Sequence, residues 1–156
     1  MFDNLNAIDI FAILVVVISI FFLGYFAWKT LITANYFQKG VNLYQQKDYQ
    51  GAEAAFRQVI AINSTNDVVR LFLGDVLSQQ GKITEATELF QEVMQRSPKN
   101  PEAYLRLANV LIQQNQPDAA KNNLEKAQEL FQKQRRPEKA QKIAQLLAQI
   151  NAKSTK

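Results

Sequence analysis

A 34-residue period constrains this chain more than any other feature. Gly40, Gly74 and Ala108 lie 34 residues apart. So do Leu43, Leu77 and Leu111, Ala52, Ala86 and Ala120, Phe56, Phe90 and Leu124, and Val59, Val93 and Ala127. Columns of small and large residues held in register across three copies mark a stacked repeat array. One copy cannot bury its apolar face alone, whereas three stacked copies can.

Each copy reads as helix, turn, helix. In the first, a helix ends near Gln46, Lys47-Asp48 turns the chain, and a second helix covers about Tyr49–Ile62 before Asn63-Ser64-Thr65-Asn66. In the second copy the first helix is about Asp67–Gln80 and Thr84 precedes a second that runs to about Arg96, with Gly81 supplying the permissive turn conformation and Ser97-Pro98-Lys99-Asn100 the break. In the third, Pro101 suits the first turn of a helix reaching Gln114, and Pro117 opens its partner. That last helix lacks a terminal Pro, with Gln132 in its place, and is expected to run long. Pro137–Asn151 places Ala140, Ile143, Ala144, Leu147 and Ile150 on one face, the pattern of a capping helix. The tail from Asn151, essentially residues 152–156, is expected to be disordered.

Ahead of the repeats, residues 10–28 (IFAILVVVISIFFLGYFAW) carry no charge. As a helix they reach about 28 Å, close to the hydrocarbon thickness of a bilayer. They are apolar all round, where a core helix would show a polar stripe. Tyr25, Trp28 and Lys29 stand at the end like an interfacial belt. A cleaved signal peptide would want a basic start and small residues at the cleavage site; here Asp3 and Asp9 precede the run and Trp28-Lys29-Thr30-Leu31 follows. Lys29, Lys39 and Lys47 place the following residues on the cytoplasmic or stromal side, leaving residues 1–9 as a short luminal or periplasmic end. No Pro or Gly cluster separates the run from the first repeat, so the helix is expected to continue into it.

Composition removes whole classes of chemistry. The chain has no Cys and no His, which excludes disulfides, thiol nucleophiles, Ser-His-Asp arrangements and zinc-hydrolase sites. Its glycines form no phosphate-binding loop. Glu85, Glu88 and Glu92 share a helix face but have no facing carboxylate cluster, so they read as a solvated face. No cofactor or metal is expected, and the chain reads as a binding protein, not an enzyme. The net charge of +4 is concentrated at the end. Residues 29–120 balance nine basic against nine acidic side chains, while residues 121–156 hold nine basic against Glu125, Glu129 and Glu138. This basic end could meet anionic lipid or an acidic protein. Nucleic acid is not expected, because no aromatics are interleaved for base stacking.

The pattern resembles the tetratricopeptide repeat, whose signature runs W-x2-L-G-x2-Y, A-x3-F, P. The second copy fits best, with Leu73, Gly74, Leu77, Ala86, Phe90 and Pro98. The first has Tyr36, Gly40, Leu43, Ala52 and Phe56 but Lys39 in the usual Leu slot; the third has Tyr104, Leu107, Leu111, Ala120 and Leu124. The implied fold is all-α: one N-terminal transmembrane helix (10–28), a three-repeat α-solenoid (33–66, 67–100, 101–134) and a C-terminal capping helix (135–151). The resemblance implies a concave groove lined by the first helix of each copy. Its expected lining is Phe37, Gln38, Val41, Tyr44 and Gln45, then Val68, Leu71, Phe72, Asp75, Ser78 and Gln79, then Glu102, Leu105, Arg106, Asn109, Ile112 and Gln113. Phe37, Val41, Leu71 and Phe72 could instead pack between helices. Chaperone-binding members grip a peptide carboxylate with Lys, Asn and Arg; the corresponding positions are Phe37, Val41, Phe72, Glu102 and Arg106, and only Arg106 matches.

In architecture and length the whole chain resembles the small membrane-anchored tetratricopeptide proteins of cyanobacteria and plastids that assist photosystem I assembly. That resemblance implies a thylakoid anchor and contact with photosystem I subunits or their assembly intermediates. A generic envelope interaction protein, or a permanent small subunit held through the Ala12, Ser19 and Gly24 face of its span, would show the same features.

Overall fold

The computed structural model describes residues 6–154, and these are helical apart from short turns. The helices are α1 (Ala7–Gln45), α2 (Tyr49–Ile62), α3 (Asp67–Gln79), α4 (Ile83–Arg96), α5 (Pro101–Gln113), α6 (Pro117–Lys133) and α7 (Pro137–Ser154). Each packs mainly on its neighbours in the chain, with an added contact between α3 and α5. This is the nearest-neighbour pattern of a solenoid.

The columns of small residues have a direct steric meaning. A Cβ built on Gly40 would lie 2.6 Å from the ring of Phe56, and one on Gly74 would lie 2.4 Å from the ring of Phe90. Both rings are fully buried. In the third copy Ala108 and Leu124 share the position, a slightly larger residue facing a slightly smaller one, and both are fully buried. The apolar interior forms two clusters. One joins α2, α3, α4 and part of α5 around Phe56, Leu73, Leu77 and Phe90. The other joins α5, α6 and α7 around Leu124, Phe131 and Ile143.

The period extends to the backbone. Lys47, Gly81 and Asn115, again 34 apart, all have positive φ (61°, 77° and 58°). Each closes the turn between the two helices of a copy. The Asp48, Lys82 and Gln116 amides donate to the carbonyls of Leu43, Leu77 and Leu111 at 2.8–2.9 Å. That is the six-to-one bond of a Schellman cap. Arg135 (φ 56°) repeats it between α6 and α7, where Arg136 N–H donates to Phe131 O at 2.9 Å. The other class of turn, between copies, is built on Asn caps: Asn66 Oδ1 accepts from Val69 N and Asn100 Oδ1 from Glu102 N. A third turn of this class is missing because α6, with 17 residues against 14 in α2 and α4, runs on as its lack of a terminal Pro implied.

One sequence expectation needs adjusting. Residues 152–154, assigned to a disordered tail, continue α7; residues 155–156 of that tail lie outside the described residues. Ala152 and Lys153 favour helix, and neither Pro nor Gly stops it. Residues 1–5 of the N-terminal end also lie outside the described residues. The continuity expected around Thr30 is present: α1 is one helix of 39 residues, about 58 Å long. Residues 8–28 are exposed throughout, Phe21 by 75% and Trp28 by 62%.

Substituting Gly74→Ala should lower unfolding stability by about 1–3 kcal/mol in denaturant melts, because the overpacking against Phe90 outweighs the gain in helix propensity. Lys47→Gly should raise it by about 0.5–1 kcal/mol, by relieving a left-handed non-glycine residue at an exposed turn.

Candidate functional site

The groove is built where α1, α3 and α5 present their inner faces. At its α1 end, Phe37, Phe56 and Phe72 form an aromatic cluster, with ring centroids 6.0 Å (Phe37–Phe56), 5.5 Å (Phe37–Phe72) and 5.7 Å (Phe56–Phe72) apart. Phe56 is the fully buried member. Phe37, Val41, Tyr44 and Phe72 are half-buried, packed against the core with part of each side chain left open. Leu71 is corrected: at 4% exposure it belongs to the core and offers no surface to a partner. One position along α3 from Phe72, its side chain turns about 100° inward.

The centre of the groove is polar. A concavity of about 350 Å³ is lined by Tyr44, Asp75, Ser78, Gln79, Glu102, Leu105, Arg106, Asn109, Val110 and Gln113. Arg106 organises its floor. Its Nε donates to Asp75 Oδ2 at 2.8 Å, and its Nη1 donates to Glu102 Oε2 at 3.2 Å. Its guanidinium carbon lies 5.9 Å from the Phe72 ring centroid, a cation–π contact that joins the polar floor to the aromatic end. Glu102 also accepts from Lys139 of α7, so α3, α5 and α7 are linked through one charge network. Burial pushes the Asp75 carboxyl above its usual range; Arg106 opposes the shift and Glu102 adds to it. Burial, then the charge of Asp75, likewise raises the Tyr44 phenol.

The remaining expected lining residues divide by depth. Leu105 and Ile112 are half-buried against the second apolar cluster, and Asn109 is exposed. Ser78 and Gln113 are bonded to each other across α3 and α5 at 3.3 Å. Val68 is 54% exposed. At the far end of the apolar run, Tyr25 and Trp28 are exposed, and Lys29 lines a second concavity with Phe26, Thr33, Phe37, Asn63 and Asn66.

Sequence reasoning missed the ion pairs that fix this geometry. Glu53 accepts from Arg57 and Lys82 at 2.8 Å, and Arg57 also reaches Glu85 at 2.9 Å. Burial opposes ionisation of Glu53, but the bonds from Lys82, Arg57 and Gln80 outweigh it and hold its pKa at about 2. Arg70 is buried, its Nε 2.9 Å from Glu92. Glu85 and Glu92 are therefore paired rather than merely solvated. The available signal was opposite charges 28–31 residues apart, as in Arg57–Glu85, Glu53–Lys82 and Asp75–Arg106. At this repeat length such spacings bring neighbouring copies together.

The tetratricopeptide repeat family profile matches residues 43–89 and 77–150. The chain belongs to the tetratricopeptide repeat family. No curated protein sequence matches it. Among solved structures, it is similar to the type III secretion translocator chaperone SycD of Yersinia enterocolitica (23% identity, TM-score 0.72, covering 78% of this chain and 93% of that one). It is also similar to the TPR2B domain of yeast Sti1 in an Hsp70 complex (17%, 0.72, 79% and 98%) and to PcrH of Pseudomonas aeruginosa (18%, 0.71, 76% and 91%). At these identities the likeness shows the fold. Arg106, the one residue matching a carboxylate grip, is held by Asp75 and Glu102, so its charge is already met from within the groove.

Arg106→Met should cost about 1–3 kcal/mol at neutral pH, since it leaves Asp75 as a half-buried, unpaired carboxylate. Losing the guanidinium raises the folded-state pKa of Asp75 further above its unfolded value. The deficit should therefore shrink as pH falls through that folded value and be smallest below the unfolded carboxyl range. Urea melts from pH 7 to pH 4 measure this, and Asp75→Asn in the same background should flatten the pH dependence.

Proposed function

We propose that this protein is a membrane-anchored tetratricopeptide scaffold whose groove binds a segment of a protein partner. The observation that carries this reading is the continuity of α1: one helix contains both the fully exposed apolar run and the first wall of the groove. Exposed apolar surface on that scale is stable in lipid and not in water. Phe37 is nine positions after Trp28 along the helix, so the aromatic end of the groove stands about 13 Å above the end of the run, and Tyr44 about 24 Å above it. A partner segment close to the bilayer is within reach without a flexible tether, and tethering raises its effective concentration.

The half-open Phe37, Val41 and Phe72 surface next to the Asp75–Arg106 floor suits a peptide with an apolar anchor and polar flanks. Among the similar proteins, SycD is a translocator chaperone that also holds a peptide of the translocator YopD, and the TPR2B domain of Sti1 is in complex with Hsp70. Within the scaffold class, the architecture of apolar helix, three repeats and basic cap favours an assembly factor for photosystem I in the thylakoid membrane, with the repeats on the stromal or cytoplasmic side. A permanent subunit held through its span is the second reading; the small residues Ala12, Ser19 and Gly24 within the exposed run would allow another helix to approach closely.

Affinity capture of the full chain from mild-detergent membranes, with mass spectrometry of the bound proteins, separates these readings. The comparison variant is Gln79→Arg/Asn109→Arg, which alters exposed groove positions and spares the Phe37–Phe56–Phe72 cluster. Substoichiometric photosystem I subunits or intermediates that disappear in the variant are expected. A stoichiometric set that persists in the variant would move the contact to the span, and partners unrelated to photosynthesis would overturn the photosystem assignment.

A further inference from the structure

The direction of the helices sorts the turns onto two edges of the array. α1 rises from the apolar run to Gln45, and α2 returns. The turn after α2 therefore comes back beside the point where the run ends: Lys29, Thr30 and Thr33 share a cavity of about 470 Å³ with Asn63 and Asn66. The next turn of the same class lies alongside, because Arg96 Nη1 donates to the Ser64 carbonyl at 3.1 Å. The α6–α7 turn follows, because Gln134 Nε2 donates to the Lys99 carbonyl at 2.8 Å. These three turns form one edge, continuous with the exit of the apolar helix.

That edge is basic on balance: Lys29, Arg96, Lys99, Lys133, Arg135 and Arg136 stand against Asp67, Glu102 and Glu138 at the helix starts. Among the described residues, the side chains of Lys29, Lys99 and Arg135 make no ion pair. The opposite edge, formed by the turns within each copy, carries Lys47 with Asp48 and Lys82 with Glu85, then Asp118, and its Lys82 is bonded to Glu53. The asymmetry is not legible in the net charge, since it depends on which turns share an edge.

We propose that the basic edge docks on an anionic bilayer surface, so that the array stands on the membrane at several points and the groove is held at a fixed height and tilt. This inference rests on the membrane-anchored reading of the apolar helix. Cations close to an anionic surface each contribute about five-fold to association, the equivalent of about 1 kcal/mol, and the attraction fades within a Debye length. A rigid α1 brings the turn at 63–66 to that distance, and the bonded chain of turns extends the contact toward Arg135. An acidic protein subunit could meet the same charges, but continuity with the end of the apolar run favours lipid as the surface already there.

The absence of cysteine allows a single label to be placed on either edge of the full chain. A fluorophore at Gln132→Cys reports the basic edge and one at Gln50→Cys the opposite edge; both positions are exposed. The labelled proteins are reconstituted into phosphatidylcholine vesicles, with and without phosphatidylglycerol, that contain a lipid-borne quencher. Expected is stronger quenching at residue 132 than at residue 50, rising with phosphatidylglycerol. It should fall toward the residue 50 value in high salt or on Lys99→Gln/Lys133→Gln/Arg135→Gln, with helicity unchanged. Equal quenching at the two sites, or quenching indifferent to anionic lipid, overturns the docking and leaves the anchor intact. Release of the protein from the vesicles by alkaline carbonate overturns the anchored reading and the docking together.

Discussion

Close approach of paired helices at a few small residues is the constraint on which the rest depends. With Gly40 on Phe56 and Gly74 on Phe90, each ring sits where a side chain would otherwise be, and the helices of a copy pack at backbone distance. That spacing sets where the next copy stacks, since Phe56 and Phe90 also belong to the cluster joining α2, α3 and α4. The groove follows from the same packing. Its aromatic end is an outward extension of this core, because Phe37 and Phe72 rest on Phe56.

A second constraint is continuity. The helices from α2 to α6 end in a turn after 13–17 residues, but α1 carries the whole apolar run and ends at the first Schellman cap. No glycine between Gly24 and Gly40 and no proline interrupts it. Serine and threonine along it, such as Ser19, Thr30 and Thr33, return their hydroxyls to carbonyls four residues back and leave the helix continuous. The groove and the apolar run are therefore mechanically one piece, which sets one edge of the array beside the run and the other away from it.

Most of the architecture was legible because repetition makes it so. A column such as Leu43, Leu77 and Leu111 reports a shared environment three times over, and helix ends were marked by Pro101, Pro117, Pro137 and Gly81. The site was less legible. Register placed Leu71 and Phe72 together in the groove, yet neighbouring helical positions diverge by about 100°, enough to put one in the core and leave the other half-open. Arg106 was read as a groove residue open to a partner, but Asp75 and Glu102 hold it. Pattern gives the position of a charge along the chain; its partner is chosen by how far each copy is rotated on the last.

The sequence by itself determined the helix–turn–helix repeat, the number of copies, the long third-copy helix, and an apolar segment continuous with the array, because each depends on local propensity or on periodicity. Tertiary structure decided which groove residues stay open, which ions pair between copies, and which turns gather with Lys29 on one edge. Those depend on distances between residues some 30 positions apart, and these distances exist only once the copies have stacked.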